Sequence, residues 1–281
     1  MMYSMISAAV TTFLLEHPEI LKAIFYWQIF FFCLFYPRIH VNKMSQPNES
    51  KQGPNSSNNN LPIVYVYDHC PYCIRVRIIL GLKNIPHKIE YLGNSDEKSH
   101  IDLCGSKQVP ILKKSNGEIL LESMDIVKYF DELDGKPILK PSAKKPPYEN
   151  YKSNNKLTHP RFIQLDLPEF CKPEDIAYFT KKKEKDIGNL AENIENSANL
   201  RADEDLILME LGKHFPTLDE LKSREIPGIN GNYWSYDDIN IFSRLRGLTS
   251  VKDIRFPDNI NYYIDTLAQK ANIPLYYDKA I

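Results

Sequence analysis

No excess of charge of either sign marks this chain: 35 lysine and arginine residues stand against 36 aspartate and glutamate residues, a formal net charge of −1 over 281 residues. So even a balance argues against nucleic acid or an anionic membrane as the main partner, since both are held by broad basic fields. Cysteine is scarce, and its number, five, is odd. That does not fit the paired framework of a small secreted disulfide scaffold and points to a reducing compartment, the cytoplasm. An apolar run of full membrane-spanning length is also missing. The stretch Ile20 to Tyr36 has 17 residues, interrupted by Lys22 and Gln28, slightly short of the ~20 that a spanning helix needs. It lacks the marks of a secretory signal too, with Glu16 and Glu19 in front of it and Tyr36-Pro37-Arg38 behind.

The polar run from Asn42 to Asn60 is rich in Ser and Asn, has almost nothing to bury and is expected to be disordered. Three readings of residues 1–60 stay open: an over-long start with Met44 as the initiator, a membrane anchor, or a cleaved or interfacial segment. In the second case Arg38, His40 and Lys43 would place the remainder on the cytoplasmic side. Membrane contact is expected only if residues 20–36 are retained.

With 43% hydrophobic residues the chain can bury more than one core, and two domains are expected. Leu61 to Tyr67 reads as a strand, Pro71 to Lys83 as a helix with Ile74, Ile78 and Leu82 on one face, and His87 to Leu92 as a short strand. A polar helix near 95–104 follows, then Val109 to Leu112 and Ile119 to Leu121 around Asn116-Gly117, a strong hairpin signal. A helix from Ser123 to Leu133 completes a small mixed sheet covered by helices. From Asp134 to Pro147, four prolines and one glycine in 14 residues mark a linker. Beyond it strand alternation is absent. Helices are expected near 148–164, 173–196, 202–222, 235–248 and 257–271. The fourth starts on Ser235 as N-cap, with Asp238 three residues on and Trp234 stapled to Ile239. The division expected is 1–60 extension, 61–134 sheet domain, 135–147 linker and 148–281 helical domain.

Cys70-Pro71-Tyr72-Cys73 lies where the first strand turns into the first helix. Positions i and i+3 share a helix face, near enough for the short Cα separation of a disulfide. The first sulfur meets the unpaired N–H groups and positive dipole end of the helix, which favour thiolate. Pro71 suits the first helical position, where its missing N–H costs nothing. Cys70 is expected to be the most acidic thiol, as the one that combines exposure with a helix N-terminus. The competing reading is a structural zinc site formed with His100 and Cys104. Against it, the intervening residues read as a helix and a strand rather than a finger loop.

These residues, with Tyr67-Asp68-His69 before them, Gly81 to Pro86, Lys107-Gln108-Val109-Pro110-Ile111-Leu112, Glu122 to Val127, Leu133 to Pro137 and the closing Lys279-Ala280-Ile281, resemble the glutaredoxin 2 family over about residues 62–281. The resemblance implies an α/β thioredoxin-like domain followed by an all-α glutathione-transferase-like domain. It implies Cys70 as nucleophile, Cys73 as resolving thiol and Val109-Pro110 as a cis peptide facing the pair. Glutathione would lie against Pro71, Tyr72, Val109, Pro110, Glu122 and Ser123, with Ser123 capping a helix that receives the γ-glutamyl carboxylate and Lys107 near the glycine carboxylate.

The function implied is glutathione-dependent thiol–disulfide exchange on glutathione mixed disulfides and protein disulfides, a form of electron transport. Glutathione is the reductant, no metal is needed, and the protein is a cytoplasmic monomer. A cysteine-type glutathione transferase is the alternative, against which Cys73 weighs; a membrane-attached binding protein is a further one. His69 reads as a solvated loop histidine or as a group that lowers the pKa of Cys70. Cys104 and Cys171 read as packing thiols, and Lys181 to Asp186 as a solvated helix face.

Overall fold

Strand β1, Ile63–Val66, buries Val64 and Val66 completely and turns the intervening residues to a half-buried face, so it forms the middle of a sheet. It pairs in parallel with β2, Lys88–Tyr91, and antiparallel with β3, Ile111–Lys113. β3 in turn pairs with β4, Ile119–Leu120, giving the order β2-β1-β3-β4. Pro110 delays β3, which starts two residues later than the apolar run suggests, because proline cannot donate to the ladder. The Asn-Gly turn is where the sequence placed it: Gly117 sits at φ +89°, a conformation that costs a side-chain-bearing residue dearly.

The computed structural model describes residues 61–144, 146, 148–149, 151–188 and 197–281. The expectations for the extension (apolar segment, polar run, Met44) lie outside the described residues, as does Cys33.

Helix α1, Pro71–Leu82, connects β1 to β2 and is buried on more than one side: Ile74 and Ile78, but also Val76, Ile79 and Leu80. The single apolar face expected there is too narrow because α1 is covered twice. It packs against α3, Ser123–Glu132, of its own domain and against α9, Tyr236–Leu245, and α10, Asp258–Ala271, of the helical domain. Gly81 makes the last of these approaches possible, since a Cβ there would stand 1.9 Å from the carbonyl oxygen of Ala271. One apolar core therefore runs from the sheet into the helices. The short helix α2, Glu97–Cys104, is capped by the Asp96 carboxylate, which accepts from Ser99 N.

The helical half is more broken than periodicity suggested. The helix expected at 148–164 is only α4, Asn155–Phe162, capped by Asn154. Of the helix expected at 173–196, residues 173–188 hold α5, Pro173–Lys182, and the single turn α6, Glu184–Ile187, ended by Gly188; residues 189–196 lie outside the described residues. The stretch 202–222 lies in α7, Ser197–Gly212, and α8, Leu218–Ser223; Pro216 separates them and Thr217 with Glu220 restarts the chain through a capping box. At α9 the Asp238 carboxylate accepts both the backbone N–H (2.8 Å) and the hydroxyl (2.6 Å) of Ser235. The linker is tied down: Asp131 accepts from Ile138 N and Leu139 N, and Lys140 exchanges backbone hydrogen bonds with Trp234 and Tyr236.

Candidate active site

Cys70 ends the loop after β1 as the residue before α1; Pro71 is the first helical residue and Cys73 lies inside the first turn. The backbone of Tyr67 donates to the Cys73 sulfur at 3.4 Å. A hydrogen bond from Cys73 is the main influence on the Cys70 thiol. Burial opposes it, the charge of a protonated His69 adds to it, and the net result is a thiol lowered to about 7. Burial, followed by the hydrogen bond and charge of Cys70, pushes Cys73 well up. The pair is thus split into one acidic and one reluctant thiol, as nucleophilic attack followed by slower resolution requires. One premise of the sequence reading needs correction, because Cys70 is 9% exposed and counts as buried. Its acidity comes from its partner thiol and neighbours rather than from open solvent.

His69 is not a solvated loop residue. Its ring packs among Phe162, Phe170 and Phe179 with centroids 5.2–5.3 Å away, and its Nδ1 lies 2.5 Å from Glu169 Oε1. Glu169, from a 3₁₀ turn at Pro168–Phe170, is fully buried and also accepts from the backbone N–H groups of Asp68 (3.0 Å) and His69 (2.9 Å). Burial would raise this carboxyl, but the bonds and charge of His69 and the backbone donors hold it below its usual value. A carboxylate of the helical domain thereby fixes the two residues in front of Cys70. Sequence reasoning missed Glu169: it stands 100 residues from His69, and no local motif announces it.

A second buried assembly holds the same loop from the other side. The Arg246 guanidinium, 1% exposed, donates to the Asp68 carbonyl (2.7 Å), the Asp68 carboxylate (3.0 Å) and the Pro274 carbonyl (3.0 Å). Tyr276 OH (2.7 Å) and Arg77 (2.6 Å) also donate to the Asp68 carboxylate. Burial raises the Asp68 carboxyl, yet Arg246 and Arg77 outweigh it and hold the group far below the carboxylate range.

The cysteine opens into a cleft of about 520 Å³ between sheet and helices, within the size range of small-molecule sites. Pro71, Tyr72, Lys107 and Val109 line it, as do Thr158, His159 and Phe162 of the helical domain. Tyr72 is 54% exposed and carries the Arg75 guanidinium 4.7 Å above its ring. Val109-Pro110 is a cis peptide, as the resemblance implied. Pro110, Glu122 and Ser123 are not among the lining residues. Ser123 is linked to the cleft through Arg75, which donates to its Oγ at 3.3 Å and whose Nε is buried without a partner. Ser123 is the first residue of α3 rather than its cap; Glu122 holds the cap position at φ +63°, a strained conformation for a non-glycine residue. Lys107 Nζ donates to Asn94 O at 2.6 Å and lies 3.3 Å from the centre of the Tyr178 ring.

The zinc alternative finds its histidine engaged elsewhere: His100 is fully buried between the Tyr67 hydroxyl (2.9 Å) and the Asp96 carbonyl, and the Cys104 thiol donates to backbone carbonyls. Among the described residues no group of three or more His, Cys, Asp or Glu side chains could hold a metal ion, and no helix is long and apolar enough to cross a membrane.

Comparison with known proteins assigns both halves. Residues 64–138 match the family described as glutathione S-transferase, N-terminal domain, and residues 149–280 match glutaredoxin 2, C terminal domain. Glutaredoxin 2 of Escherichia coli strain K12 is 40% identical over 223 residues, 78% of this chain and 99% of that protein. The crystal structure of glutaredoxin 2 from Salmonella typhimurium in complex with glutathione superposes with a TM-score of 0.68 at 37% identity, over 79% of this chain and 100% of that one. A glutathione transferase of Phanerochaete chrysosporium, 14% identical with a TM-score of 0.51 over 75% of this chain and 97% of that one, shares the fold alone. With a cysteine pair at the strand-to-helix junction, a thioredoxin-like sheet joined to a helical domain, and relatives matched over nearly their whole length, the chain belongs to the glutaredoxin 2 family of glutathione-dependent oxidoreductases.

Proposed function

We propose that the chain reduces glutathione mixed disulfides and protein disulfides through Cys70 and Cys73. The observation that carries this is the place of Cys70 at the wall of a cleft and beside Cys73, whose hydrogen bond lowers its thiol to about 7 against burial. The Cys70 thiolate attacks the glutathione sulfur of a mixed disulfide; the Cys70–glutathione bond forms, the old S–S bond breaks, and the protein thiolate leaves and takes up a proton. A second glutathione thiolate then attacks the bound glutathione sulfur, releasing glutathione disulfide and restoring Cys70. For an intramolecular protein disulfide, Cys70 is first joined to the substrate and Cys73 attacks Cys70, freeing the reduced substrate. Two glutathiones then reopen the Cys70–Cys73 bond.

Glutathione lies against Pro71, Tyr72, Val109 and Pro110 in this proposal, with its γ-glutamyl carboxylate at the N-terminus of α3 near Ser123 and Arg75 and its ammonium at Glu122. Lys107 is turned to Asn94 and Tyr178 and would have to swing to reach a glycine carboxylate. The division into 61–134, 135–147 and 148–281 is kept as part of the proposal. The test is turnover of a glutathionylated peptide and of a peptide with an internal disulfide. Cys73→Ser should retain the first reaction and lose most of the second, since glutathione can replace the resolving thiol only in the first. Cys70→Ser should lose both. An active Cys70→Ser enzyme would overturn the proposal, and a small electrophile turned over in place of the disulfides would favour the transferase reading.

A further inference from the structure

The chain is electrically balanced, but its cleft is not. The lining residues include Arg75, Lys107, Lys152, Lys182, Lys183 and Arg244 and not one aspartate or glutamate. Three of these cations, Lys152 before α4 and Lys182 and Lys183 at the end of α5, belong to the helical domain. Some lysines elsewhere are paired, Lys98 with Asp102, Lys114 with Glu118 at 3.0 Å, Lys83 with Asp134 at 2.6 Å and Lys213 with Glu210 at 2.5 Å, and many are not; what sets Lys152, Lys182 and Lys183 apart is their place in the cleft wall. Lys152, Lys182 and Lys183 make no side-chain hydrogen bond or ion pair among the described residues.

The unpaired cations act on their neighbours. Burial is the main influence that lowers the Lys107 ammonium, Glu97 opposes it and Lys182 adds to it, while burial and then Lys183 disfavour a proton on His159. Like charges gathered along one wall repel one another, and an incoming anion relieves that repulsion. Two carboxylates beside the cleft residues are already engaged: Asp186 lies 3.0 Å from His159 Nδ1, and Glu97 is 3.9 Å from Lys107 and accepts from Tyr178. The lysine run that reads in sequence as a solvated helix face thus has two members facing the reaction cleft.

We infer that this wall selects the non-glutathione half of the mixed disulfide, and that its partner is an acidic peptide segment whose glutathionylated cysteine is flanked by aspartate or glutamate. The inference rests on the proposed oxidoreductase reading. With the glutathionyl half on the sheet-domain side of Cys70, the rest of the substrate has to run along the helical wall, where Lys152, Lys182 and Lys183 meet its carboxylates. No new bond chemistry is needed, because the exchange is the one already described and the lysines act only on binding and encounter.

The experiment uses two glutathionylated peptides of equal length, one with glutamates beside the cysteine and one with glutamines, assayed with the full chain at low and high salt. The acidic peptide should show a KM lower by roughly tenfold, the order expected of a few solvent-exposed charges, with kcat similar and the advantage lost at high salt. The triple variant Lys152→Gln, Lys182→Gln, Lys183→Gln should lose that advantage while turning over the glutamine peptide at the parent rate. Lys182→Glu with Lys183→Glu should invert the preference toward a peptide flanked by lysines, an outcome that loss of folding cannot mimic. Equal KM for both peptides in the parent protein, or a triple variant that weakens both equally, would overturn the inference and leave the oxidoreductase reading standing. Absence of turnover with either peptide would instead defeat both.

Discussion

At the scale of single residues, the chemistry depends on how the two cysteines divide one hydrogen bond. The Cys73 hydrogen bond is the first cause of the lowered Cys70 thiol, ahead of the charge of His69. Alkylation of Cys70 against pH should therefore show an inflection near 7, and Cys73→Ala, which removes the donor, should move it up toward the free-cysteine value of ~8.5. An inflection unmoved by that substitution would assign the acidity to the helix N-terminus and His69. Glu169→Gln tests the other influence. The amide can still accept from the backbone of Asp68 and His69, but the carboxylate charge beside the imidazole is gone. The Cys70 inflection should rise by less than in Cys73→Ala, and the initial rate at pH 6 should fall more than at pH 8. A purely structural role for Glu169 would lower both rates alike.

At the scale of elements, what could be read from sequence was what is encoded locally. Cys70-Pro71 declares a helix start because proline needs no partner there, and Asn116-Gly117 declares a hairpin because Gly117 alone supplies the positive φ. The failures were of long range or of interruption. The helix placed at 148–164 shrank to α4 because Asn154 caps a later start, and the one at 202–222 broke where Pro216 and Thr217 restart the chain. Glu169 and Arg246 were illegible since their partners stand 100 and 178 residues away. Gly81 is an intermediate case: a glycine in a helix signals a close approach without saying to what. Gly81→Ala should gain up to ~1 kcal/mol of helix propensity. A Cβ 1.9 Å from the Ala271 carbonyl, which is backbone and cannot rotate away, should cost more than that, about 1–3 kcal/mol as overpacking or beyond. A lowered urea midpoint is the expected readout; a raised one would mean that α10 shifts freely against α1.

For the whole molecule, Asp68 joins the nucleophile loop to the helical domain, and its charge sets how that union depends on pH. Its folded-state pKa lies below its unfolded value of ~3.9, so between the two the unfolded chain binds the extra proton. The contribution of Asp68 is fully present above ~pH 4 and is lost as pH falls through the lower folded value. Asp238 has the opposite sense. Burial raises it to about 6 against the hydrogen bonds from Ser235 and Ile229, so its contribution is present below ~pH 4 and fades as pH rises through 6. The two windows adjoin without overlapping, and unfolding free energy measured against pH can separate them. Asp68→Asn should flatten only the acid limb. It should also lower stability at neutral pH by roughly 3–5 kcal/mol, the cost of leaving a buried cation without its carboxylate, because Arg246 is 1% exposed and keeps only carbonyl and hydroxyl acceptors. Asp68→Asn combined with Arg246→Met should recover part of the loss, since the uncompensated charge is gone. If the double variant is as unstable as the single one, the loss belongs to the Arg77 and Tyr276 bonds, and the union of the two domains rests on Tyr276 instead.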